Sequence, residues 1–145
     1  MPTVRELMGK QAKVIMLAHQ SRKGKWDFIN LEQHAEHLSK HINAPVRYVD
    51  DVLGDEAMKA ISETKPGEVL LLGNVRAIDS ETAKGDMFMH AEGEIVEKLA
   101  PLIDYYVCDA FGAAHRSQCS LVGFPAKVPS ASGRLMAKEM FALKV

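Results

Sequence analysis

Three stretches of this chain carry residues suited to holding a small anion, and they share one layout. Cys108-Asp-Ala-Phe-Gly-Ala-Ala-His-Arg116 follows an apolar run and ends in a basic pair. His19-Gln-Ser-Arg22 follows the run Lys13–Ala18, and Asn74-Val-Arg76 follows Val69–Leu72. Each run reads as a buried strand with an arginine a few residues beyond it. If the strands are parallel, three guanidinium groups gather at the carboxyl ends of a sheet, where open α/β folds place their ligands. Guanidinium forks match the oxygens of phosphate and carboxylate. Taken singly, the loop with Arg22, Lys23 and Lys25 is equally well a solvated basic loop, and Arg76 and the pair His115-Arg116 are ordinary surface residues. Their repetition at strand ends favours a site, because clustered cations repel one another unless an anion or carboxylate compensates. Asp109 is a candidate local partner for one of the arginines. His19 suits hydrogen bonding to an anion better than work as an acid or base.

Composition narrows the field. The chain has 145 residues, enough for one domain with a real core. The formal net charge of −1 offers no global basic field for nucleic acid, so any anion site is local. No apolar run is long enough to span a membrane, and the amino terminus lacks the pattern of a signal peptide. A cytoplasmic location is therefore expected, with Cys108 and Cys119 as free thiols. A zinc reading would take Cys108, His115 and Cys119, but three ligands at that spacing match no familiar zinc pattern. No Gly-x-Gly-x-x-Gly, Walker loop or Gly-Gly pair is present, so the chain offers no cradle for a dinucleotide or a nucleoside triphosphate. No acid, base and nucleophile set points to a hydrolase.

The elements that must position these residues alternate. Pro2 to Met8 reads as a short helix with proline at a tolerated first position. Strands are expected at Lys13–Ala18, Val46–Val49, Val69–Leu72 and within Asp104–Cys108, with a short fifth at Leu121–Gly123. Asn30 and Gln33 resemble a capping box before a helix striped by Leu31, Ala35, Leu38 and Ile42. Further helices are expected over 55–64, 90–100 and from a Ser130 cap to Leu143. Residues 77–89 read as a surface loop. The methionines read as core filler, and Trp26 as a ring packing its loop down. Alternation with short apolar strands predicts a three-layer α/β fold, with a mostly parallel, Rossmann-like sheet of about four to five strands. The four main strands are expected in one sheet.

Several ordered motifs resemble one family. Pro2-Thr-Val4, Ala12-Lys-Val-Ile15 and His19-x-x-Arg22-Lys-Gly24 look like the first substrate loop of phosphoglycerate kinase. Val69-Leu-Leu-Leu-x-Asn-Val-Arg76 is similar to its second, and Tyr106-Val-x-Asp-Ala-Phe-Gly-x-Ala-His-Arg116 to its third. Pro129-Ser-x-x-Gly133-Arg-Leu-Met-x-Lys-Glu139 resembles the helix leading out of the amino-terminal domain. The variants His-Gln-x-Arg-Lys-Gly and Ala-His-Arg-Ser-Gln resemble the archaeal branch.

The resemblance implies a phosphotransferase that moves a phosphoryl group between ATP and 3-phosphoglycerate, giving 1,3-bisphosphoglycerate in glycolysis and gluconeogenesis. It implies that His19, Gln20, Ser21, Arg22, Arg76, His115 and Arg116 occupy substrate-binding positions. In the family, magnesium–ATP sits on a second, nucleotide-binding domain, which the resemblance makes a partner of this one. The chain departs from the family in starting after an Asp-Phe-Asn strand and a transition-state arginine, and in stopping before the glycine-rich nucleotide domain. An incomplete 3-phosphoglycerate-binding domain is therefore expected over 1–145, binding no cofactor itself, inactive alone, and without nucleic-acid or membrane partners. Ser21 stands where glycine is usual, Ala77 where phenylalanine is, and Cys108 where asparagine is common. A second reading is a non-catalytic module that binds small anions or a partner and derives from that domain. A third is a remnant that folds poorly.

Overall fold

The apolar run after Pro66-Gly67 folds as expected of a strand covered on both faces. The computed structural model describes residues 2–144. In it, Val69–Asn74 is a strand buried at every position. It is the central strand, β3, of a three-stranded sheet ordered β1-β3-β2, where β1 is Val14–Ala18 and β2 is Val46–Tyr48. Both pairings are parallel: Val14 and Val46 each align with Val69, and Met16 and Tyr48 each align with Leu71. Side chains alternate across a strand. Val69 and Leu71 therefore join Val4 of helix α1 (Pro2–Gly9) and Ala35, Leu38 and Ile42 of α2 (Glu32–Ile42) in the apolar clusters on one face. Leu70 and Leu72, fully buried, point to the other face, and α3 (Asp55–Glu63) packs on β3.

The chain divides into two units, Thr3–Ile78 and Asp79 onward. The second holds α4 (Met87–Ala91), α5 (Glu94–Leu99), β4 (Tyr106–Cys108), β5 (Ser130–Ser132) and α6 (Arg134–Ala142). Here several expectations are corrected. The fourth strand does not join the first three. β4 pairs in parallel with β5 in a separate two-stranded sheet, Tyr106 opposite Ser130 and Cys108 opposite Ser132. Leu121–Gly123 is not a strand but part of a π-helical turn over Cys119–Gly123. A Cβ at Gly123 would lie 2.6 Å from the His90 carbonyl oxygen, so this apolar run is folded against α4 rather than extended. Ser130 opens β5 rather than capping a helix, and Gly133 occupies the N-cap position of α6. The helix expected over 90–100 is two helices, broken where Gly93 begins α5. Residues 77–89 are not a plain loop: they include a 3₁₀ turn at Asp79–Thr82 and the start of α4, with Glu81 fully buried.

Helix caps also differ from the pattern. Leu31, not Asn30, is the N-cap of α2; Asn30 Oδ1 accepts a long 3.4 Å bond from the Glu32 amide, and Gln33 is exposed. Met8 and Met16 pack in the first core and Met136 is buried, but Met87, Met89 and Met140 are exposed. Trp26 does not pack its loop down; it is 93% exposed.

At the start of α3, Asp51 does the capping. Its carboxylate accepts from the Gly54 amide at 2.9 Å and the Ala57 amide at 3.0 Å. Burial pushes its carboxyl up, but the amides of Ala57, Gly54, Val52 and Leu53 outweigh that and hold it below its ordinary value of 3.8. A folded-state value below the unfolded one stabilises the fold above the unfolded value and ceases to do so as pH falls through the folded one. Asp51→Ala should therefore cost about 1 kcal/mol at neutral pH, the usual worth of a cap. Urea unfolding of wild type and variant should converge as pH drops below 3.8.

Candidate functional site

β1 and β3 are adjacent and parallel, with Ala18 aligned to Asn74, so the segments that follow them leave the sheet at the same end. After β1 comes the loop 19–30. Its Ser21 lies in the left-handed region at φ 57°, a conformation that glycine adopts without strain and serine does not. The serine hydroxyl answers that strain with a 2.5 Å bond to Asp27 Oδ1. Gln20 Nε2 donates to the Asp27 carbonyl at 3.3 Å, so Gln20 and Ser21 both close the loop on Asp27. Gly24, at φ 84°, makes the second left-handed turn. Arg22, Lys23 and Lys25 are exposed around it, and Lys23 Nζ reaches the Ala77 carbonyl at 3.5 Å. His19 is half-buried at the base.

After β3, the chain turns through a 3₁₀ segment at Val75–Ala77, capped by the Asn74 side chain. Arg76 is buried, 8% exposed, and its guanidinium donates to the Ser21 carbonyl. The structure thus brings His19, Gln20, Ser21, Arg22 and Arg76 to one end of the first sheet. Arg22 is presented outward, whereas the Arg76 guanidinium donates to the loop itself. Beside this loop, β1 and α2 border a groove of about 540 Å³ lined by Met16, Ala18, Leu38 and Leu71 and edged by His34, His37 and His41. Its walls are mostly apolar, so it does not suit a small multivalent anion.

His115 and Arg116 lie in the second unit, past the carboxyl end of β4. His115 is exposed and Arg116 half-buried, its amide donating to the Ala113 carbonyl at 2.9 Å. The residues just after them are tied down. Ser117 Oγ donates to the Gly85 carbonyl at 2.7 Å, and Cys119 Sγ to the His90 carbonyl at 3.3 Å. Ser120 donates to the Glu81 carboxylate through its amide at 2.8 Å and its hydroxyl at 2.7 Å. The Ser120 carbonyl accepts from Tyr106 Oη at 2.9 Å, and the Tyr106 ring stacks on Phe124 with centroids 5.1 Å apart. Burial pushes the Cys119 thiol up, so it stays protonated and inert.

Asp109 holds the start of α6. Its Oδ1 accepts from the Leu135 and Met136 amides at 2.9 and 3.0 Å, which makes it the cap of α6. A Cβ on Gly133 would fall 2.3 Å from the same carboxylate, so the close approach requires glycine there. Two residues went unnoticed in the sequence: Asn74, which appeared only as a spacer before Arg76, and Glu81, read as loop. Among the described residues, no group of three or more His, Cys, Asp or Glu side chains is placed to hold a metal ion. No helix among the described residues is long and apolar enough to cross a membrane. The arrangement gathers positive charge and N–H donors of the kind that suit an anion's oxygens.

Comparison with known proteins agrees with the motifs. The family model for phosphoglycerate kinase matches residues 1–145. The phosphoglycerate kinase of Methanothermobacter thermautotrophicus is 51% identical over 142 residues, covering 98% of this chain and 34% of that protein. The crystal structure of phosphoglycerate kinase from Pyrococcus horikoshii OT3 superposes with a TM-score of 0.96 at 40% identity, over 99% of this chain and 36% of that one. Phosphoglycerate kinase from Coxiella burnetii gives a TM-score of 0.75 at 28% identity, over 99% and 34%. The chain therefore spans about a third of the length of the relatives it matches. With its whole length matched and its fold shared, the chain belongs to the phosphoglycerate kinase family.

Proposed function

We propose that this chain is the 3-phosphoglycerate-binding part of a phosphoglycerate kinase. The observation that carries the reading is the joining of the basic 19–30 loop to Arg76 at the carboxyl ends of two neighbouring parallel strands. Arg22 and the flanking lysines supply charge, and His19 and Gln20 supply further donors. By their motif alone, His115 and Arg116 match substrate-binding positions of the family. The substrate's phosphate and carboxylate are the groups that such forks match. Phosphoryl transfer relies chiefly on positioning and on neutralising charge, and this chain's share is to hold the acceptor. The donor, magnesium–ATP, belongs to a nucleotide-binding domain outside residues 1–145.

Calorimetric titration tests the reading. 3-Phosphoglycerate should bind weakly, and ATP no better than inorganic phosphate. Arg22 is exposed, so Arg22→Ala should leave stability within about 0.5 kcal/mol of wild type. Arg22→Ala and Arg116→Ala should each weaken binding by about 1.5–3 kcal/mol, the worth of a bond between charged groups. Tight binding that depends on adenine would contradict the assignment. In a coupled assay, the purified chain alone should not phosphorylate 3-phosphoglycerate; turnover abolished by Arg76→Ala would show that it carries its own nucleotide site.

A further inference from the structure

We propose that Asn74 is a positioning residue that sets the anion-holding shape of the 19–30 loop, acting through Gln20, Ile29 and Arg76 without touching the ligand. Its side chain is buried, 5% exposed, and every bond it makes goes to the candidate site. Nδ2 donates to the Gln20 carbonyl at 2.8 Å and to the Ile29 carbonyl at 3.2 Å. Those carbonyls stand at the two ends of the loop, so one amide group staples its base. Oδ1 accepts from the Arg76 amide at 3.2 Å. The Arg76 guanidinium in turn donates to the carbonyl of Ser21, the neighbour of Gln20. The result is a closed circuit: Asn74 holds Gln20, Arg76 holds Ser21, and Asn74 holds Arg76.

The chemistry of the position is demanding. Two carbonyls face one end of the side chain and an N–H faces the other. Only a carboxamide offers two donors and an acceptor in that geometry, and the partners dictate which way round it sits. Aspartate would keep the acceptor but turn a charged oxygen toward two carbonyls. Serine could answer one partner. Once unstapled, the carbonyls would turn to solvent, and Arg22 and His19 would no longer be held near Arg76. The inference rests on the reading of the loop as the 3-phosphoglycerate site.

The experiment uses the full 145-residue chain with Asn74→Asp, and Asn74→Ser as the milder variant in case the first does not fold. Amide hydrogen exchange, measured without ligand, should quicken at least tenfold across residues 20–30 while α3 keeps wild-type rates. Titration with 3-phosphoglycerate should show at least a tenfold loss of affinity. Combined with Arg22→Ala, the second loss should be much smaller than the first, because a loop that no longer presents Arg22 has little left to lose; a generally weakened fold would give losses that multiply. Unchanged loop exchange overturns the proposal whatever the ligand does. Fast exchange with unchanged affinity, or with multiplying losses, overturns it as well. If the wild type binds no 3-phosphoglycerate, the assignment of the site falls, and the exchange measurement still decides whether Asn74 staples the loop.

Discussion

Glu81→Ala should destabilise the chain by about 3 kcal/mol, measured by urea unfolding at neutral pH. Glu81 is fully buried and receives two bonds from Ser120, one from the amide and one from the hydroxyl. A bond to a charged group contributes about 1.5–3 kcal/mol, and a buried donor left without its acceptor costs about 1–3 kcal/mol. Relief from burying a carboxylate offsets part of this. Glu81→Gln should fall between, because the amide keeps one acceptor but turns a donor toward the other Ser120 group. Ser120→Ala removes the hydroxyl only, so the double variant Glu81→Ala/Ser120→Ala should lose less than the two single losses together. A change below about 1 kcal/mol in Glu81→Ala would mean that solvent replaces the carboxylate freely. The variant should also loosen the segment after Arg116, since Ser120 anchors it from four residues away.

Arg76→Ala should weaken 3-phosphoglycerate binding between about tenfold and about 150-fold, equivalent to about 1.5–3 kcal/mol. Two losses combine: a cation at the strand ends, and the contact that holds the Ser21 carbonyl. Arg76→Lys separates them. It restores the charge as a single rounded ammonium without the fork, so it should recover only part of the affinity. An Arg76→Lys variant as tight as wild type would show that charge alone matters and that the Ser21 contact is incidental.

Much of the first unit is legible in the residues. The run Val69–Leu72 reads as a covered strand because all its side chains are apolar, and it is buried throughout. The stripe Ala35, Leu38 and Ile42 reads as a helix face because it repeats at helical spacing, and those are the buried positions of α2. The second unit resists such reading. β5 is Ser130-Ala-Ser132, exposed at every position; only backbone pairing with β4 makes it a strand. Glu81 looks like a surface charge until Ser120, 39 residues later, folds onto it. The site divides in the same way. Histidines and arginines after strands announce themselves by type and place, whereas Asn74 acts across 54 residues of sequence to reach Gln20, and nothing local reveals that.

The exposed ring of Trp26 bears on how this protein can be watched. It is the only tryptophan, and at 93% exposure it is already surrounded by water in the native chain. Its emission will therefore lie near the red limit before any denaturant is added and will shift little as the cores come apart. Unfolding curves drawn from tryptophan fluorescence would be almost flat, and circular dichroism must follow the helices instead. The same ring, lying between Lys25 and Asp27 in the basic loop, is open to collisional quenchers. Iodide, drawn by the neighbouring cations, should quench it more strongly than neutral acrylamide does, and an anion seated in the loop should reduce that difference.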